Sequence, residues 1–152
     1  MGANSEQDRI KSCPCHSGKL YAQCCGPLHE GSATCQHVEA LMRSRYSAYA
    51  LGNVAYILST SDPKILPPTP SLSWTQEVLD FARGTKFVGL KILSSRQSGG
   101  KGSVTFQALL QRLDGQDSSF QEEAHFTRHH GRWYYSGGKV STVHCRPSSR
   151  YS

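Results

Sequence analysis

The chain has 152 residues, 37% of them hydrophobic and 18% charged, which suits one compact domain with a small appendage. No apolar run approaches the ~18–20 residues needed to span a bilayer, so a membrane span is not expected. The formal charge of +6 comes without a run of five basic residues; it admits a nucleic-acid, ribosomal or acidic-protein partner and demands none.

Residues 1–12, MGANSEQDRIKS, carry no periodicity and are expected to form a disordered tail. They lack the apolar centre of a secretory signal, and Glu6 stands where a myristoylation motif wants Ser or Thr. The expected location is an intracellular, reducing compartment: the cytoplasm, or an organelle if a presequence has been removed.

Residues 13–25 read CPCHSGKLYAQCC and hold four of the six cysteines. A disulfide framework needs an oxidising compartment, and a Cys-x-x-Cys redox pair is absent. A metal site fits best. Pro14 stiffens the turn carrying Cys13 and Cys15, and Ser17 is expected to cap one helical turn, Lys19 to Gln23, that returns Cys24 and Cys25 to the same point. Four thiolates suit one Zn(2+) per chain, with iron as the weaker alternative, and the closed shell makes the site structural. Such a cage carries roughly −2, which lowers the overall excess to about +4. His16 beside it is read as solvent-facing or as a neighbour of the ligands, not a fifth ligand.

CGP closes this segment as a turn signal, and LHEGSA is read as a linker. Val38, Leu41, Met42, Tyr46 and Tyr49 then follow helical spacing, with Thr34 as the expected N-cap and Gly52 as the left-handed end. VAYILSTS predicts a short helix capped by Asn53 and ended before Asp62-Pro63. PKILPPTPS is an irregular, stiff loop. SLSWTQEVLDFARG predicts a third helix, with Ser73 and Gln76 as a capping box and Gly84 as its stop. From residue 85 the period changes to 2: TKFVGLKILSS, SVTFQALLQRLD, SFQEEAHFTRHH and RWYYSG are separated by turn residues. The expected class is α+β, with helices packed on an antiparallel meander of about four strands. Residues 141–152 are expected to be a flexible tail.

The spacing Cys-x-Cys, eight residues, Cys-Cys, with Pro14, Ser17-Gly18-Lys19 and Tyr21 between, resembles the SEC-C zinc motif, named for the C-terminal tail of the secretion ATPase SecA. The usual wording of that motif is close to CPCGSGKKYKKCC; here His16 replaces a glycine. EALMRSRYSAYA, LSTSDP, VTFQALL and RWYYSGG resemble, in order, the YchJ-like family. The resemblance implies a SEC-C motif over residues 13–27 and an NTF2-like (cystatin-like) domain over 34–140, whose curved sheet wraps helices around a conical cavity. Many members carry a second SEC-C copy near the C-terminus; VSTVHCRPSSRYS holds Cys145 alone, so that second site is not expected here.

Strand parity puts Phe120, Glu122, Ala124 and Phe126 on one face. If that face is inward, Glu122 needs a partner or a raised pKa; Arg43, Arg45, Tyr46, Tyr134 and Tyr135 are the candidates. The possible pocket residues are therefore Glu122, Arg43, Arg45, Tyr46, Trp133 and Tyr135, and no catalytic residue is assigned. Arg43 and Arg45 lie about 200° apart on a helix and cannot form one clamp, so one of them is expected at the surface. His129 and His130 are read as solvated turn residues, Cys35 and Cys145 as ordinary thiols. The expected function is a non-catalytic adaptor or accessory factor docking a protein or ribosomal partner through residues 13–27; the alternatives are a small-ligand or enzymatic pocket using Glu122 and an RNA- or nucleic-acid-associated factor. The oligomeric state is left open.

Overall fold

The computed structural model describes residues 11–66 and 72–142. Among the described residues four α-helices, α1 (Gly26–Glu30), α2 (Val38–Leu51), α3 (Val54–Ser59) and α4 (Leu72–Arg83), precede four strands, β1 (Thr85–Ser98), β2 (Lys101–Arg112), β3 (Phe120–His129) and β4 (Arg132–Thr142). The strands pair antiparallel in chain order, β1-β2-β3-β4, as the change of period predicts. Bulges at Phe87/Gly89 and Ile92/Ser94 in β1, and at Ser136 of β4 opposite His125/Phe126, bend the sheet. The turn between β3 and β4 is His130-Gly131, both at positive φ (53° and 81°), the pair of conformations a two-residue hairpin needs.

The core lies where one face of the sheet meets α2. Val38, Leu41, Met42 and Tyr46 pack on Leu90, Val104, Phe106, Ala108, Leu110, Ala124, Phe126 and Trp133. Along β2, Val104, Phe106, Ala108 and Leu110 alternate inward, and Glu122, Ala124 and Phe126 do so on β3. The parity read from the sequence is therefore the parity of the fold.

Several local expectations change. Helix α2 starts at Val38, not beside Thr34: the Val38 N–H donates to Gln97 Oε1 at 2.9 Å, so the acceptor comes from the far end of β1. That approach needs Gly102, because a Cβ there would meet Val38 Cγ1 at 2.6 Å. The expected linker after Gly26 contains α1, with Pro27 in its first turn, where a missing N–H is harmless, and Gly31 (φ 86°) at its end. Ser73 lies inside α4, one residue after its start. Pro63–Ile65 of the proline-rich loop form a 3-10 turn capped by Asp62, whose carboxylate accepts from the Lys64 N–H at 3.0 Å. Strand β4 runs to Thr142, into the segment expected as a tail. Residues 1–10, the rest of the expected C-terminal tail and Cys145 lie outside the described residues. The expected ends at Gly52 (φ 70°) and Asn53, whose Oδ1 accepts from Tyr56 N–H at 3.1 Å, are as read.

Candidate functional site

Residues 11–30 build a compact knuckle. Ser12 pairs with Leu20, and the Cys13 N–H donates to Lys19 O at 2.8 Å, closing a tight hairpin. Its turn needs two left-handed residues, His16 (φ 62°) and Gly18 (φ 89°). Ser17 does not cap a helical turn from Lys19; its Oγ accepts from the Lys19 N–H at 3.2 Å and lies 3.2 Å from Cys24 Sγ, a position from which the hydroxyl can donate to a thiolate. A 3-10 turn over Tyr21–Gln23 then carries the chain back. A Cβ on Gly26 would lie 2.8 Å from Tyr21 O, so only glycine fits there.

The sulfur atoms of Cys13, Cys15, Cys24 and Cys25 all lie within 4.8 Å of one another and could hold a metal ion. Two of the separations are 3.6 Å (Cys15–Cys24) and 3.9 Å (Cys24–Cys25). The edge of a tetrahedron with Zn–S bonds of about 2.3 Å is about 3.8 Å, so the donor set fits that ion. Contact with Cys13 and Cys15, together with burial, pushes the Cys25 thiol well above its usual range. Four thiolates this close would repel one another, and a cation among the sulfurs would offset that repulsion. His16 is outside the set.

The knuckle is fastened to the body. Arg43 Nη1 donates to Cys15 O at 3.0 Å, and its Nε pairs with Glu39 at 3.3 Å. His16 Nε2 lies 3.0 Å from Phe87 O, and its ring packs edge-on against Tyr46. His29 of α1 bridges Tyr21 OH (2.7 Å) and Ser44 O (2.8 Å). Since the carbonyl can only accept, Nε2 carries the proton and Nδ1 accepts from the tyrosine. Burial lowers the His29 pKa, in keeping with this neutral form.

On the other side of α2 lies a cavity of about 340 Å³, walled by Met42, Tyr46, Tyr49, Phe81, Phe87, Phe106, Phe120, Phe126 and small residues of the sheet. Its polar side chains include Arg45, Glu122, Tyr49 and Tyr135. Arg45 is 7% exposed; its Nη1 donates to Ile57 O (3.2 Å), Thr60 Oγ1 (2.8 Å) and Ser61 Oγ (3.1 Å). The guanidinium lies over the Tyr135 ring, 4.5 Å from its centroid. Glu122 accepts from Tyr135 OH, and burial raises its pKa. Among the described residues Arg45 and Glu122 form no ion pair with each other or with any third group.

Of the six residues suggested by the sequence, Arg45, Tyr46, Glu122 and Tyr135 meet in this cavity. Arg43 belongs to the knuckle contact, so neither arginine of the pair is simply at the surface. Trp133 is buried and lines a separate cavity of about 170 Å³ with Cys35 and Tyr56. Sequence reasoning missed Tyr49, Phe81 and Phe87 as cavity walls; Tyr49 was on the helical stripe, one turn past Tyr46. It also missed His29, which stood in the apparent linker. His129 is not merely solvated: its Nε2 lies 3.4 Å from the buried Asp62 carboxylate. Basic residues are dispersed over the knuckle (Lys19), the end of α4 (Arg83) and all four strands, with Glu123 opposite Lys139 in the sheet. Among the described residues no helix is long and apolar enough to cross a membrane.

Residues 11–27 match the SEC-C motif, and residues 37–138 match the middle NTF2-like domain of YchJ. A UPF0225 protein of Deinococcus radiodurans is 40% identical over 126 residues, covering 83% of this chain and 87% of the relative. UPF0225 protein NTHI0386 of Haemophilus influenzae is 35% identical, covering 87% and 80%. The solution structure of RPA3114, a SEC-C motif containing protein from Rhodopseudomonas palustris, is similar with a TM-score of 0.73 and 36% identity, over 86% of this chain and 98% of that one. A SEC-C motif containing protein from Psychrobacter arcticus gives a TM-score of 0.71 at 25% identity, over 90% and 86%. The chain thus belongs to the YchJ-like family, in which a SEC-C motif precedes an NTF2-like domain.

Proposed function

We propose that this protein is a small-ligand binder whose ligand occupies the cavity under α2, and that its SEC-C knuckle holds one Zn(2+) and braces the cavity wall. The observation that carries this reading is the cavity itself: about 340 Å³, largely aromatic, with an arginine and a carboxyl that do not neutralise each other by pairing. A scaffold would be expected to fill such a space or close it with an ion pair. The zinc supplies structural cross-linking only, since four thiolates leave no position for a substrate. His16 and Arg43 transmit that support to Phe87, Tyr46 and α2. Ala108 lies on the cavity wall at 2% exposure and away from the knuckle. A panel of single-ring aromatic fragments, followed by ligand-observed NMR, should give hits with the wild type that disappear in Ala108→Met. An empty panel, or hits indifferent to that substitution, would remove the reading.

A second reading, an adaptor docking a protein or ribosomal partner through residues 13–27, is favoured by one observation. Lys19, Leu20 and Gln23 stand exposed on the knuckle. The dispersed basic residues give less support to a nucleic-acid role.

A further inference from the structure

The polar end of the cavity is asymmetric, and that asymmetry bears on what enters it. Only Nη1 of Arg45 is bonded; Nε and Nη2 have no hydrogen-bond partner among the described residues. No carboxylate stands within 4.0 Å of this guanidinium among those residues. A guanidinium taken out of water without an ion pair is destabilising; Glu122 acts on Arg45 only from beyond contact distance, and a ligand anion would offset the rest. Nε and one Nη form the side-on fork that a planar carboxylate matches with two parallel hydrogen bonds. The hydroxyl of Tyr49, on the cavity wall beside Arg45, is a further donor without a partner among the described residues.

From this geometry we infer that the cavity takes a small monocarboxylic acid with an apolar, ring-sized body, its carboxylate held by Arg45 and its body by the aromatic wall. The inference rests on the cavity reading above and names the chemical class of its ligand. A phosphoryl group fits less well: it brings more charge and more oxygen atoms than one guanidinium and a few hydroxyls can satisfy, and Glu122 faces the same space. A cationic ligand would meet Arg45 at close range. Glu122 accepts from Tyr135 OH in the same space, and burial, which disfavours its charged form, raises its pKa.

The test uses the zinc-loaded full chain, labelled with nitrogen-15, and two probes of equal shape, 3-phenylpropionate and 3-phenylpropionamide, at neutral pH. The carboxylate should perturb backbone signals of α2 and β3 and bind at least about tenfold more tightly than the amide, the scale of one charge-assisted contact. Glu122→Gln should keep that preference, whereas Arg45→Met should bring the two probes to similar affinity. Should Arg45→Met fail to fold, Tyr49→Phe reads the same end of the cavity and should narrow the preference without harming the fold. Equal binding of both probes to the wild type overturns the charge assignment and leaves the cavity reading standing. If neither probe perturbs those signals up to millimolar concentration, both fall.

Discussion

His16 shows how one residue can offset its own strain. It occupies the left-handed region (φ 62°), where the SEC-C wording quoted above has glycine, and a side chain there costs about 1 kcal/mol. The imidazole offsets this by bonding Phe87 O and packing on Tyr46, two residues that wall the cavity. Glu122 is the other residue whose environment makes a measurable statement. Burial holds its carboxyl above the ordinary range, so the folded protein keeps that proton more tightly than the unfolded chain. For an acid raised in this way, stability falls as pH rises from the unfolded value through the folded one. Glu122→Gln has no proton to lose and its amide oxygen can still accept from Tyr135. Urea titrations should show the variant gaining on the wild type between mildly acidic and mildly alkaline buffer; a constant difference would mean that burial does not govern this carboxyl.

At the level of elements, α2 is unusual in being buried on more than one stripe. Besides the apolar positions, Ser44, Arg45 and Ser47 are buried. The reason is that α2 is covered on several sides: by the sheet, by α3 and α4, and by α1 with the knuckle, whose His29 reaches Ser44 and Ser47. An amphipathic helix on a plain sheet would show one stripe. The knuckle is thus part of the packing of α2, and its loss should be felt in the body. Three knuckle contacts, from His16, His29 and Arg43, at about 1 kcal/mol each, correspond to a fall of about 6–12 °C in Tm for a domain of this size. Removing metal with a chelator under reducing conditions should produce that shift while far-UV circular dichroism stays that of a folded protein. An unchanged Tm would show the knuckle to be an independent appendage.

Across the whole molecule, two surfaces compete for a functional role, and they are on different elements. The cavity opens between α2, α4 and the sheet, whereas the knuckle presents Lys19, Leu20 and Gln23 to solvent. A paired substitution, Lys19→Glu with Gln23→Glu, changes the second without touching the first. Immobilised wild type and variant, both zinc-loaded, can be compared by capture from native extract with mass-spectrometric readout. If the adaptor reading holds, the variant loses partners yet still binds cavity probes; identical captured sets from both would dispose of it. The positive charge of the described residues is spread over the knuckle, the end of α4 and all four strands.

The order of helices, the four-strand meander, the inward parity of Phe120, Glu122, Ala124 and Phe126, and the four clustered cysteines are all local properties. They depend on side-chain period, turn chemistry and ligand spacing, so the linear sequence was sufficient to determine them. The capping of α2 by Gln97 rather than Thr34, the burial of Arg45, the transfer of Arg43 to the knuckle and the separation of Trp133 from Glu122 were decided only by the fold. Each depends on a partner tens of residues away, and helical or strand periodicity says which face is covered but not by what. The cavity belongs to this second kind: it is the space left where a bent sheet and two helices fail to meet, and no stretch of sequence encodes an absence of atoms.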